Sequence, residues 1–357
     1  MNASSIKAKH SFMSAVAASV LAAVLLFSVA GASQAAKDTI FGSEMIAAHW
    51  PNTTAEDVGN AIQLTATVGG HASRIWFFAE QDKLAHIPLI VSVMRQTGLK
   101  VLLQIGSVFI DKPSPPVGMV PSFGDPAVRA LFISSAYKLA LTKPDYLNLC
   151  TEVNLLYRFN RPEFEHFRTL YTQAYNIVKA VSPKTKVGAS YLYTVWFIDR
   201  FFDNVDVPAM LTPYDMLAFT GYPEDIIHAG VYDSIANMSP DWFGAARYAY
   251  PNATIGFSEM GWSSKVRGTP ELQAEFVRNL PRLMSTVKPE FVTWAVLHDT
   301  DFFKRGLLAP EQIALLEGLG VNIDTLFGHF NGMGLLDAQG NAKPAFHEAA
   351  QLVFPKP

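Results

Sequence analysis

Two glutamates stand where strand-like runs end, and each is followed by residues that a packed core has little use for. The run Thr254-Ile-Gly-Phe-Ser258 stops at Glu259 and opens into Met260, Gly261, Trp262 and two hydroxyls. The run Tyr146-Leu-Asn-Leu-Cys150 stops at Thr151 and Glu152. A carboxylate at a strand end builds a poor core, but it can hold charge at the mouth of a barrel. The same two strand ends add Asn154 and Trp262, and other strand ends supply Arg74, Tyr193, Tyr222 and Trp294. That set combines carboxylates for proton transfer with aromatic faces that stack on sugar rings. It contains no phosphate cradle.

The elements that must position these groups follow from periodicity. Strand-like runs are expected at 40–50, 74–78, 101–105, 146–150, 186–190, 216–220, 254–258 and 291–296. Between them lie helical patterns at 55–67, 84–97 and 127–141, and from Pro162 to Val181, where Phe164, Phe167, Leu170, Tyr171, Ala174 and Val178 recur at three- and four-residue steps. A last helical stripe runs from Leu272 to Val287 and carries Pro281, where a kink is expected. Strands alternating with amphipathic helices imply βαβ units and a parallel sheet. About eight such units, with no composition break, predict a single-domain (β/α)8 TIM barrel. A glycine-rich phosphate fingerprint after the first strand, which a dinucleotide-binding sheet would show, is missing.

In such a barrel the chemistry lies at the C-terminal ends of the strands. Carboxylates on the fourth and seventh strands then face each other across the mouth. A retaining glycosidase needs such a pair about 5–5.5 Å apart, one as nucleophile and one as an acid that later acts as base. The nucleophile wants donors nearby, and Arg74 and the Tyr222 hydroxyl are the candidates. The acid wants a raised pKa, supplied partly by the neighbouring charge.

These residues resemble a known clan. Ser258-Glu-Met-Gly-Trp262 is similar to the T-E-F-G-W end of strand seven in the retaining (β/α)8 glycoside hydrolases, which include cellulases, β-mannanases and β-galactanases. Thr151-Glu152 sits where that clan carries Asn-Glu, Gly221-Tyr222-Pro223 resembles its strand-six tyrosine, and Trp294 its strand-eight aromatic. Arg74 falls where a strand-two arginine is frequent, and Gly334 to Phe346 is similar to the GLxDxxGxPKPA tail of many members. The resemblance implies Glu259 as nucleophile and Glu152 as acid/base, with Arg74, Thr151, Asn154, Tyr193, Tyr222, Trp262 and Trp294 binding substrate. Thr151 is the departure: the usual Asn amide bonds the sugar 2-hydroxyl, and a threonine side chain is shorter.

The remaining bounds concern location and partners. Lys7 and Lys9, the apolar run 15–30 and Ser33-Gln-Ala35 read as an export signal, so residues 1–35 are expected to be removed and 36–357 to form a periplasmic or secreted barrel. A formal net charge of −3 without a basic stripe argues against nucleic acid and against an anionic membrane surface. The single cysteine, Cys150, excludes an internal disulfide framework and, within an apolar run, reads as a buried thiol. No metal-binding spacing is present, and no cofactor is expected. The expected partner is a carbohydrate substrate, taken by a monomer. A glycan-binding barrel without catalysis and a transglycosylase using the same site are the alternative readings.

Overall fold

A computed structural model describes residues 39–50, 52–76, 83–106, 122–305, 310–318 and 322–354. The export-signal segment, Glu80 and most of the Pro- and Gly-rich loop at 112–124 lie outside the described residues. The strands are β1 Ile40–Glu44, β2 His71–Trp76, β3 Lys100–Ile105, β4 Tyr146–Asn148, β5 Lys186–Gly188, β6 Ser190–Leu192, β7 Leu217–Gly221, β8 Ile255–Met260 and β9 Phe291–Trp294. All pair in parallel, in the order β5-β4-β3-β2-β1-β9-β8-β7-β6.

The two ends of that order are halves of one strand, separated only by Ala189. β5 pairs with β4, while β6 pairs with β7. Backbone bonds carry the ladder across the junction, from Leu149 N to Gly188 O (2.8 Å), Ser190 N to Cys150 O (2.9 Å) and Ala218 N to Ala189 O (3.3 Å). The sheet therefore closes on itself with eight strand positions, the expected single-domain (β/α)8 barrel.

The helices cover the outside for the reason their stripes imply. Arg161–Val181 starts at Asn160, whose side chain accepts the Glu163 N–H, and buries Phe164, Phe167, Leu170, Tyr171, Ala174 and Val178. Pro270–Leu283 is capped by Thr269 and carries Pro281 inside its last turn. Strand alternation sorts the rest. Leu217, Phe219, Ile255 and Phe257 point out to the helices, while Met216, Ala218, Thr220, Gly256 and Ser258 point into the barrel.

The interior is layered. Leu102, Tyr146, Met216 and Phe291 plug its lower end, and Gly256 leaves the space that the Phe291 ring fills, 2.2 Å from where a Cβ would sit. His71 and Thr293 lie next, Nε2 to Oγ1 at 3.1 Å. Nearer the mouth the lining turns polar. Gln104 donates to Ser73 Oγ (3.0 Å) and accepts from Asn148 Nδ2 (2.7 Å).

The strand bounds differ from the expected ones in two instructive places. β1 ends at Glu44, because Ile46 and Trp50 leave the ladder to pack at the mouth. β8 runs past Ser258 to Met260, so Glu259 lies within the strand.

Burial pushes His71 down to about 4 from an ordinary 6.5. A histidine held neutral in the fold but free to protonate when unfolded contributes stability above pH 6.5 that is lost as pH falls toward 4. The difference in unfolding free energy between the wild-type protein and His71→Asn should shrink by about 3 kcal/mol over that interval, measured by urea denaturation. A difference independent of pH would contradict it.

Candidate active site

Glu259 reaches the barrel mouth through an irregularity. Phe219 pairs with Phe257, but the next pair is Thr220 with Glu259, so Ser258 is an extra residue in β8. Side chains in a strand alternate with a period of two. Phe257 points outward, and a regular strand would send Glu259 outward as well. The bulge restores Glu259 to the inward face of its partner Thr220. Its carboxylate accepts a hydrogen bond from the Tyr222 hydroxyl.

Glu152 arrives from the other side of the closure. It caps the short helix Val153–Phe159 from the left-handed region (φ 50°, ψ 41°), without using its side chain as the cap. The sequence reading set the next helix only near Pro162; the turn at Glu152 is tighter than that. Its backbone N–H donates to Ser190 Oγ (3.1 Å). Its Oε1 accepts from Thr220 Oγ1 at 2.6 Å. Thr220 thus hydrogen-bonds one carboxyl and is the register partner of the other. Neighbouring strands are about 4.8 Å apart, so both carboxyls share one mouth.

Burial pushes the Glu152 carboxyl above the usual range, and the Thr220 bond only partly opposes it. Tyr222 is pushed well above an ordinary phenol, first by burial, then by the charges of Glu259 and Glu152 and by its bond to Glu259. It is therefore a hydrogen-bond donor throughout the neutral range. The charges of both glutamates act on this one phenol.

A third carboxylate, Glu44 at the end of β1, was not anticipated. It is fully buried and takes the Ile75 N–H on Oε1 at 2.8 Å. Burial raises its pKa, with the charge of Arg74 the largest opposing influence. Arg74 itself lies in β2 in register with Leu103.

The other anticipated residues divide. Thr151 is buried next to Glu152, with its N–H on Ile105 O (3.2 Å). Asn154 uses both ends of its amide on Leu192, donating to the carbonyl (3.0 Å) and accepting the N–H (2.9 Å), so it pins β6 and does not face the mouth. Tyr193 lies outside the sheet, donating to Trp242 O among Trp196, Phe219, Phe243 and Phe257. Trp294, fully buried, donates to Met333 O (2.7 Å), and Trp262 packs on Phe276. These three rings are core aromatics here, in place of the expected sugar platforms. Trp294 pairs with Ser43, whose hydroxyl meets Thr65 on the outer helix Ala55–Val68, and so shares its outward direction.

The apolar lining of the mouth comes from elsewhere: Ile46, Trp50, Tyr222, Ala295, Val296 and Met333, with Leu192, Phe302 and Phe330 against them. Trp50 and Phe302 touch at 3.8 Å between centroids. Glu224 anchors this rim, taking the Ser263 N–H on one oxygen and meeting His329 Nε2 at 2.9 Å with the other. The tail motif has a mechanical role. Lys343 Nζ reaches Asp299 (2.6 Å) and Ser264 Oγ (2.8 Å), tying the loops after β8 and β9 together. Cys150 is buried. Among the described residues no group of three or more His, Cys, Asp or Glu is arranged to hold a metal ion.

Compared as a sequence, the chain matches no family model and no curated protein. Compared as a structure, it is similar to many barrels. A GH5_18 protein from Streptomyces cattleya, solved in complex with Manβ1-4GlcNAc, aligns with TM-score 0.66 at 16% identity, covering 90% of this chain and 83% of that one. A GH5_18 protein from Bifidobacterium longum subsp. longum, in complex with the same disaccharide, gives TM-score 0.63 at 16% identity over 88% of this chain and 77% of that one. The exo-β-1,4-mannosidase Op5Man5 from Opitutaceae bacterium strain TAV5 gives 0.60 at 15% identity over 88% and 59%. At such identities the likeness establishes the fold, that of glycoside hydrolase barrels.

The left-handed backbone at Glu152 yields a test that needs no substrate. A β-carbon is disfavoured there and glycine is not. Glu152→Gly should be more stable than Glu152→Ala by about 1 kcal/mol, measured by chemical denaturation. The reverse order would mean that the turn relaxes once the carboxyl is gone.

Proposed function

We propose that this protein is a retaining glycoside hydrolase acting on a β-linked glycan. The observation that carries the reading is the convergence of Glu152 and Glu259 on Thr220 and Tyr222, which needs both a bulge and a left-handed residue. Glu259 is the nucleophile. It attacks the anomeric carbon while Glu152, protonated, gives its proton to the departing glycosidic oxygen. Glu152 then takes a proton from water, whose oxygen displaces Glu259 from the sugar. Burial keeps Glu152 in its acid form to higher pH than an exposed glutamate, which suits the first step. Tyr222 holds Glu259 in line for attack through its hydroxyl.

The N-terminal segment, read as an export signal, makes this an exported enzyme, periplasmic or secreted, that acts as a monomer. Two of the structural neighbours were solved with Manβ1-4GlcNAc and a third is an exo-β-1,4-mannosidase. β-Mannosides therefore head the substrates to try, followed by β-glucosides. The competing reading is a barrel that binds glycan without cleaving it. Thr151 favours it, because the usual amide at that place strengthens its bond to the 2-hydroxyl in the transition state.

Glu259→Ala and Glu152→Ala should each remove nearly all hydrolysis of aryl β-glycosides. Added azide should restore turnover of an activated aryl glycoside in Glu152→Ala, and it should yield an α-glycosyl azide only with Glu259→Ala. Substantial activity in either variant without azide would overturn the assignment. Tyr222→Phe should lower kcat by about 10²–10³, the usual effect of removing one donor aimed at developing charge. A change confined to KM would instead make Tyr222 a binding residue.

A further inference from the structure

Thr220 is wholly buried, and among the described residues its hydroxyl has one partner, Glu152 Oε1 at 2.6 Å. Glu152 is held at a second point, where its N–H meets Ser190 Oγ from β6. Among the described residues its other carboxyl oxygen, Oε2, carries no hydrogen bond. The groups around Glu152 are therefore Thr220 from β7, Tyr222 just after that strand, Ser190 from β6 at the backbone, and Glu259 from β8, which accepts from the Tyr222 phenol.

We propose that Thr220 is a positioning residue for the proton donor: by donating to Oε1 it places the transferable proton of Glu152 on Oε2. The inference rests on Glu152 being the acid/base. If the proton sat on Oε1, that oxygen would be the hydroxyl of the acid, a much weaker acceptor than a carbonyl oxygen, and the buried threonine donor would lose most of its bond. With the proton on Oε2, the hydroxyl keeps a carbonyl oxygen as its acceptor. The same bond survives both half-reactions. In the first, the Oε2 proton passes to the glycosidic oxygen as the bond to the anomeric carbon breaks. In the second, Oε2 takes a proton from water as the water oxygen bonds to that carbon. The threonine proton never moves, and one oxygen both gives and takes.

Two consequences separate this role from mere packing. Removing the donor should raise the Glu152 pKa further, because the bond stabilises the carboxylate and opposes burial. It should also harm only reactions whose leaving group needs the proton. The test compares wild type, Thr220→Val and Thr220→Ser. Protein carrying ¹³C at the glutamate side-chain carboxyl is titrated by NMR, with the Glu152 resonance assigned by its loss in Glu152→Gln. The midpoint should rise by about one pH unit in Thr220→Val and return to the wild-type value in Thr220→Ser. In parallel, kcat/KM for an alkyl β-mannoside should fall by about 10–100-fold in Thr220→Val, with little change for the 2,4-dinitrophenyl glycoside of the same sugar. An unmoved or lowered midpoint, or equal losses with both leaving groups, would overturn the proposal. If Thr220→Val does not fold, Thr220→Ala gives the same readouts. If wild-type protein cleaves neither glycoside, the enzymatic reading fails, while the titration still decides whether Thr220 governs Glu152.

Discussion

One extra residue in one strand decides what this barrel can do. With Ser258 inserted between the pairs Phe219–Phe257 and Thr220–Glu259, the glutamate turns from the helical shell to the barrel mouth. Everything that gives the carboxylate meaning depends on that turn. Tyr222 can reach it, and Thr220 can stand between it and Glu152. A second departure, the left-handed backbone at Glu152, aims the partner from across the closure. Non-glycine residues in that region cost on the order of 1–3 kcal/mol and persist where the surrounding structure overdetermines them. Two local violations converging on the same few ångströms are more informative than either alone.

The rest of the molecule makes those violations affordable. The apolar plug of Leu102, Tyr146, Met216 and Phe291 closes the lower end, and the helices bury an aromatic shell that includes Tyr193, Trp196 and Trp242. Between plug and mouth lies a polar layer of Ser73, Gln104 and Asn148, in which the Gln104 amide bonds both of its neighbours. At the rim the loops are held by polar contacts between distant parts of the chain, Glu224 with the His329 ring and Asp299 with Lys343. Low dielectric around Glu152 raises its pKa, and a single hydroxyl is the local counterweight.

The alternation of strands and amphipathic helices was legible because burial imposes a simple period on both. Glu152, Glu259 and Tyr222 were legible because polar residues at strand ends break that period. The aromatic residues were misread for a physical reason. Whether Trp294 faces the mouth or the helices depends on strand parity, and its pairing with outward-facing Ser43 puts it in the core. Tyr193 and Trp262 are likewise core, although strand ends follow or precede them closely. Asn154 looked like a ligand for sugar but clamps Leu192. Thr220 passed unnoticed because a threonine in a strand is ordinary, and its partner lies 68 residues away. The mouth aromatics Trp50, Phe302 and Phe330 sit in loops and a late helix, where no periodicity marks them.

The central claim is that Glu259 bonds covalently to sugar during turnover. The most direct measurement is incubation with a 2,4-dinitrophenyl 2-deoxy-2-fluoro-β-glycoside, followed by proteolysis and mass spectrometry of the labelled peptide. The account predicts one fluorosugar per chain, attached at Glu259 in the peptide containing Ser258-Glu-Met-Gly-Trp262, with release of one dinitrophenolate. Label on any other residue, or catalysed hydrolysis of the parent glycoside with inversion at the anomeric carbon, would contradict it.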